Sequence, residues 1–284
     1  MNYYCLMAGA PDLTPGQTMG NGVPSLSEFR EQAEEELCRK DKELLDEYLF
    51  LQTDCRNLAS LLEDSGAELP TLGNHSREEL VELMALAREA EGDVKGFSPV
   101  LSHIVRQWDA QHETEGFFAQ DQALYAFLQN AVDHCPNATI RQWHRMQMDM
   151  ANVLTALLAR NHGWNPAQSI VGEGVVQDCI RQNPTASDFG LSVDLEYVQQ
   201  LVEIAGEDDP VQKERKADAL KWTWLDDRTF FVPFGIESVF ARLCQLEMLE
   251  RWSKLDPEQG KQRFEQIIEN LRGEARVPQE FVKR

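Results

Sequence analysis

From Ser25 onward the apolar residues Phe29, Ala33, Leu37, Leu44, Tyr48, Leu51, Cys55, Leu58 and Leu62 recur at steps of three, four or seven. That spacing lays one face of an α-helix against a core, and a half-buried strand, which alternates every second residue, cannot produce it. It predicts one long amphipathic helix of roughly 40 residues, on the order of 60 Å. Ser25 follows Pro24 and precedes Glu28 by three residues, the signature of a capping box, and Gly66 supplies a stop.

The same reading predicts helices over 76–91, 98–111, 117–134, 139–162, 166–182, 193–205, 209–226, 235–254 and 257–272. Ser76, with Glu79 three residues on, and Thr139 stand as N-caps, and Gly163 as a stop. Only Tyr3–Met7 and Thr229–Val232 have strand character, and each is too short to found a sheet. The predicted fold class is therefore all-α, with long amphipathic helices in repeated bundle units. Residues 1–24 form an extended segment and loop; 25–112, 113–192 and 193–284 form a first, a second and a C-terminal helical unit.

Charge limits the partners. With 27 Lys and Arg against 48 Asp and Glu, the formal charge of −21 excludes a nucleic-acid binder, whose affinity depends on displacing counterions with basic side chains. It equally opposes docking on an anionic lipid surface. Residues 1–100 hold 20 acidic and 8 basic side chains, so a basic partner is expected there. No run approaches the ~20 apolar residues of a membrane span. The N-terminus lacks the apolar run and basic flank of a secretory signal. Six scattered cysteines without C-x-x-C fit reduced thiols, and the expected location is cytoplasmic.

Catalytic constellations are sparse. There is no G-x-x-x-x-G-K-[ST], and Gly172-Glu-Gly174 is too little for a dinucleotide fold. The di-iron pattern Glu-x-x-His is missing, leaving only Asp109-x-x-His112, while His134-Cys135 sits at a helix end, where a histidine complements the dipole. The chain is expected to be non-enzymatic, with no cofactor, metal or small-molecule ligand. Trp222, Trp224, Phe230, Phe231 and Phe234 crowd the loop Asp226-Asp227-Arg228 and read either as inter-helix packing or as a docking surface, with packing the first choice.

Two helix ends repeat. Asp54-Cys-Arg-Asn57-Leu58 and Asp149-Met-Ala-Asn152-Val153 share D-x-x-N-(apolar) at a shift of 95 residues. Asp and Asn are poor helix formers, so the pairing implies a hydrogen-bonding or packing role. The window Phe50–Leu62 resembles the D-x-x-N-L motif of the central-stalk connector family of V-type and archaeal-type rotary ATPases. Met148–Arg160 is its second copy, and Phe234–Arg251, with Glu247, is similar to that family's C-terminal helix. The opening Tyr3–Leu13 and the overall layout also resemble an uncharacterised bacterial family encoded among V-type ATPase genes. The chain departs from the connector motif at Glu63-Asp64, where a basic residue is usual, and in its Gly- and Pro-containing N-terminal loop.

The resemblance implies a connector without catalysis that links the soluble rotor shaft to the membrane ring in ATP-driven ion transport. The chain would then lie peripheral to the inner membrane through protein contacts, without lipid insertion. Asp54, Asn57, Asp149, Asn152, Glu247, Trp222 and Trp224 are its structural or interface candidates. A free-standing helical adapter or regulator is the alternative, and a helical metalloenzyme a third.

Overall fold

The computed structural model describes residues 2–254 except 18, 20, 21, 70–72, 91 and 115–117. The helix expected over 257–272 lies outside these residues. The described residues contain no sheet, and the fold is all-α. In order they are α1 (Tyr4–Gly9), α2 (Leu26–Glu36), α3 (Arg39–Leu45), a π-turn (Asp46–Phe50), α4 (Leu51–Glu63), α5 (Arg77–Glu89) and α6 (Pro99–Gln111). Next come α7 (Ala119–His134), α8 (Ala138–Asn161), α9 (Pro166–Ser169), α10 (Val175–Gln182), α11 (Val198–Ala205), α12 (Pro210–Thr229) and α13 (Ile236–Ser253).

Two apolar cores divide the molecule. One joins α4 to α7 and takes a single side chain, Met148, from α8. The other gathers the N-terminal segment, α2, α3 and α8 to α13 around Trp143, Phe189, Leu201 and Phe240. Helix α7, expected in the second helical unit, thus packs largely with the first. At 24 residues, α8 is the spine, about 36 Å long, and both cores close on it.

The long helix expected from Ser25 is corrected to α2 and a second run in which α3, the π-turn and α4 follow one another. Leu37 and Cys38 are extended, with ψ of 142° and 157°, and turn the chain between α2 and α3. Periodicity cannot detect this corner, because Leu37 stays buried and keeps its step of seven to Leu44. The N-terminal segment seals it. Tyr3 donates its hydroxyl hydrogen to Asp41, and the Cys38 N–H points at the same hydroxyl oxygen, 3.5 Å away. The Leu6 N–H donates to Glu36 at 3.2 Å. Tyr3–Met7, expected to be extended, therefore lies mainly in the short helix α1, held to the loop ahead of α13 by Tyr3 N–H to Phe234 C=O at 2.7 Å.

Capping chemistry explains the helix starts. Both capping boxes form, at Ser25/Glu28 and Ser76/Glu79. The cap of α8 is Asn137, whose side chain accepts the Ile140 N–H at 3.1 Å, and not Thr139. Gly163, at φ 74°, ends α8 in the left-handed conformation a glycine takes without cost. The helix expected over 166–182 is broken at Ile170–Gly174. There Gly172 has φ 81°, and a Cβ would press on the Tyr125 hydroxyl. The helix expected over 193–205 begins only at Val198, after a turn in which the fully buried Phe189 takes φ 55°. Such a backbone is uncommon for an aromatic residue; the ring it buries lies in the core beneath the Arg160 guanidinium, 5.0 Å away.

Candidate functional site

The two D-x-x-N helix ends are buried anchors for the loops that follow them. Asp54 on α4 is wholly buried and receives the Asn74 N–H on its two oxygens at 2.9 and 3.1 Å and the His75 N–H at 3.1 Å. These amides sit just ahead of α5, so the carboxylate fixes where that helix begins. Gly73 lies so close to the carboxylate that any Cβ would collide with it. Burial pushes the Asp54 carboxyl up, against the downward pull of the two amides. Asn57, one turn on, is buried beside it.

In the second copy the roles change places. Asn152 accepts the Val171 N–H at 2.9 Å and donates its amide to Met148 C=O at 3.1 Å, holding the Ile170–Gly174 break against α8. Asp149 is buried but accepts no hydrogen bond among the described residues. Burial pushes its carboxyl up to about 6, with Arg145 pulling it down.

Glu247 on α13 comes within 3.7 Å of Arg56 on α4, each side chain about half exposed. The first motif window and the C-terminal window therefore meet, across the boundary between the cores. Trp222 and Trp224 are buried on α12; Trp224 lies 5.6 Å from Trp143, and both belong to the core. The exposed aromatics follow them: Phe230 is 73% and Phe231 88% exposed, and Tyr4 packs on Phe234 at 4.6 Å nearby. His134 turns Nδ1 to Asn130 C=O, 3.2 Å away in the last turn of α7, and burial raises the Cys135 thiol above its ordinary value.

Two features carried no sequence signal that periodicity or motif reading uses. The first is the π-turn, whose carbonyls also meet donors from outside the helix. Asp46 C=O accepts the Asn74 side-chain amide at 2.8 Å, and Tyr48 C=O lies 2.8 Å from His144 Nε2. The second is His144 itself, fully buried on α8 with the rings of Phe127 and Phe240 edge-on at 5.2 and 6.0 Å. Its carbonyl partner requires the proton on Nε2, Nδ1 has no partner among the described residues, and burial lowers its pKa to about 4. One histidine thus joins the π-turn, α8 and both cores.

Beside the π-turn, between α2, α3 and the loop leading into α6, lies a cleft of about 1050 Å³. Arg30 crosses its wall with the guanidinium 3.7 Å above the Phe50 ring, bonded to Glu34 at 2.9 Å, Gly73 C=O at 3.2 Å and Asn74 Oδ1 at 3.3 Å. Burial raises the Asp46 carboxyl at the cleft base; Arg30 counters the rise, and Glu34 and Glu43 add to it. Among the described residues no group of three or more His, Cys, Asp or Glu could hold a metal ion, and no helix is long and apolar enough to cross a membrane.

The arrangement defines a class: an all-α scaffold whose loops are held by buried polar side chains and whose surface offers an acidic cleft and an aromatic patch. Residues 1–275 match the model of a family described as "Protein of unknown function (DUF2764)", and the chain belongs to that family. No curated protein and no solved structure matches it.

Proposed function

We propose that this chain is a non-catalytic connector of a rotary V-type ATPase, bridging the soluble rotor shaft and the membrane ring, and peripheral to the membrane through those protein contacts. The observation that carries the reading is the twice-used helix end. Each copy of the D-x-x-N window ties a distant loop to a long helix through a bond from a buried side chain to a backbone amide, from Asp54 in one case and Asn152 in the other.

A body that transmits torque must resist shear between its helices, and bonds anchored on side chains packed in the interior serve this better than exposed ion pairs. The Arg56–Glu247 contact extends the tie from the first window to the C-terminal helix. The formal charge of −21 favours basic protein surfaces as partners and disfavours nucleic acid and anionic lipid. The exposed Phe230 and Phe231 offer the kind of aromatic anchors that interface centres use.

Affinity purification of the tagged full chain from gently solubilised membranes tests the reading. The stalk and ring components of the ATPase are expected to elute with it in fixed proportion. Recovery of a lone monomer, from membranes shown to contain the intact ATPase, would sink it.

A further inference from the structure

A pocket of about 570 Å³ lies between α8, α12 and residues 192–197. Its volume falls within the roughly 300–1,000 Å³ usual for small-molecule sites. Three side chains that line it have hydrogens to donate: Arg145 from α8, Tyr197 just ahead of α11 and Arg228 near the end of α12.

Each of the three has bonding capacity that the chain leaves unused. Arg145 is half-buried and makes no hydrogen bond or ion pair among the described residues; Asp149, one turn along α8, is not paired with it. Its guanidinium stands beside the N-terminus of α10, where a Cβ on the N-cap Gly174 would come within 3.5 Å of Nη1. The nearby Asp178 is taken by Arg181 at 3.4 Å. A helix N-terminus is positive, so an unanswered arginine there reverses the usual arrangement and calls for an anion. Tyr197 is only 8% exposed, yet its hydroxyl has no hydrogen-bond partner among the described residues, a cost that a ligand oxygen would remove. Burial raises its pKa, with Asp149 adding to the rise, so the hydroxyl stays protonated and can donate. Arg228 lies over Trp224 at 5.3 Å and spends one nitrogen on Glu196 at 3.0 Å, which leaves its other donors available.

We infer that this pocket binds a phosphate group, free or carried by a small molecule, through the Arg145 and Arg228 guanidinium groups and the Tyr197 hydroxyl. Donors drawn from three elements suit a tetrahedral oxyanion better than a planar carboxylate, and a guanidinium fork matches phosphate oxygens two at a time. The acids at the rim do not cancel them. Glu196 is answered by Arg228, and Asp194 is exposed, where solvent and salt screen it. In a chain of formal charge −21 the overall field repels anions, so only such a local set of donors can hold one. The site departs from the sequence expectation of no small-molecule ligand, and it stands whether or not the chain is a rotor connector.

Isothermal titration of the full chain with inorganic phosphate, and separately with phenyl phosphate, tests the site, with chloride holding the ionic strength constant. Each is expected to bind at a single site. Tighter binding of the ester would make a small phosphate ester the ligand, and equal binding would make it free phosphate. Arg145→Gln should weaken binding by about tenfold or more, and Tyr197→Phe by about threefold or more. Arg88→Gln, which removes a partly exposed arginine paired with Asp109, should change it by less than about twofold. Arg145→Gln breaks no bond among the described residues, so its melting temperature should match that of the wild type; should it fail to fold, Tyr197→Phe and Arg228→Gln carry the comparison. Binding of neither phosphate, acetate binding as tightly as phosphate, or an affinity unchanged in the folded variants would each overturn the proposal.

Discussion

In α4 the aspartate of the repeated motif holds the following loop, and in α8 the asparagine does. Asp54 collects two backbone amides in a fully buried position, while Asp149, its counterpart, is buried with no hydrogen bond among the described residues and a carboxyl raised to about 6. Asn152 reaches Val171 across 19 residues, nearly the span from Asp54 to Asn74. The chain keeps the task, a side chain on a long helix fixing a loop about twenty residues on, and moves it by one turn. The loops differ in turn: Asp54 holds an amide pair ahead of a capping box, and Asn152 holds one amide in a glycine break.

The largest effect is expected at Asp54. Asp54→Leu removes the acceptor of two part-buried amides at once and should cost about 3 kcal/mol or more in denaturant unfolding; a loss below about 1 kcal/mol would mean that the amides find water and that the anchor is not structural. Asn152→Leu removes one acceptor and one donor and should cost about 1–3 kcal/mol. An Asn152 variant costlier than the Asp54 variant would reverse the comparison.

Asp149→Asn should act chiefly through pH. A carboxyl with a folded value near 6, above its ordinary 3.8, favours the folded state while protonated, so its contribution is present in acid and lost as pH rises from about 4 to about 6. His144 acts oppositely. Its value is lowered from 6.5 to about 4, so the unfolded chain takes up a proton first, and stability falls as pH drops through that window. The two offset one another in the wild type. Asp149→Asn should leave His144 unopposed and give a steeper loss between pH 6.5 and 4 in chemical denaturation; an unchanged slope would place Asp149 in contact with water. The smallest effect belongs to Glu247→Gln, which loosens a half-exposed contact with Arg56 and should cost less than about 1 kcal/mol.

The fold class and most helix ends were legible because caps and apolar spacing are local. Ser25, Ser76 and Gly163 act where their chemistry directs. The α2–α3 corner was not legible, because a buried corner leucine preserves the spacing that a straight helix would show. The π-turn escaped for a related reason, since one added residue shifts the phase less than the spread of apolar steps. The motif marked Asp54 and Asn152 as hydrogen-bonding groups, and both are, but the equivalence it implied between Asp54 and Asp149 fails, because burial and the loop's position decide which member bonds. Trp222 and Trp224 illustrate the same limit. Composition grouped them with Phe230 and Phe231, and α12 separates the buried pair from the exposed one.

The most direct test of the connector account is coupling. In membranes of cells lacking the chain, ATP hydrolysis by the soluble part of the ATPase should persist while ATP-driven ion uptake is lost, and added full chain should restore uptake. Undiminished ion uptake in its absence would contradict the account.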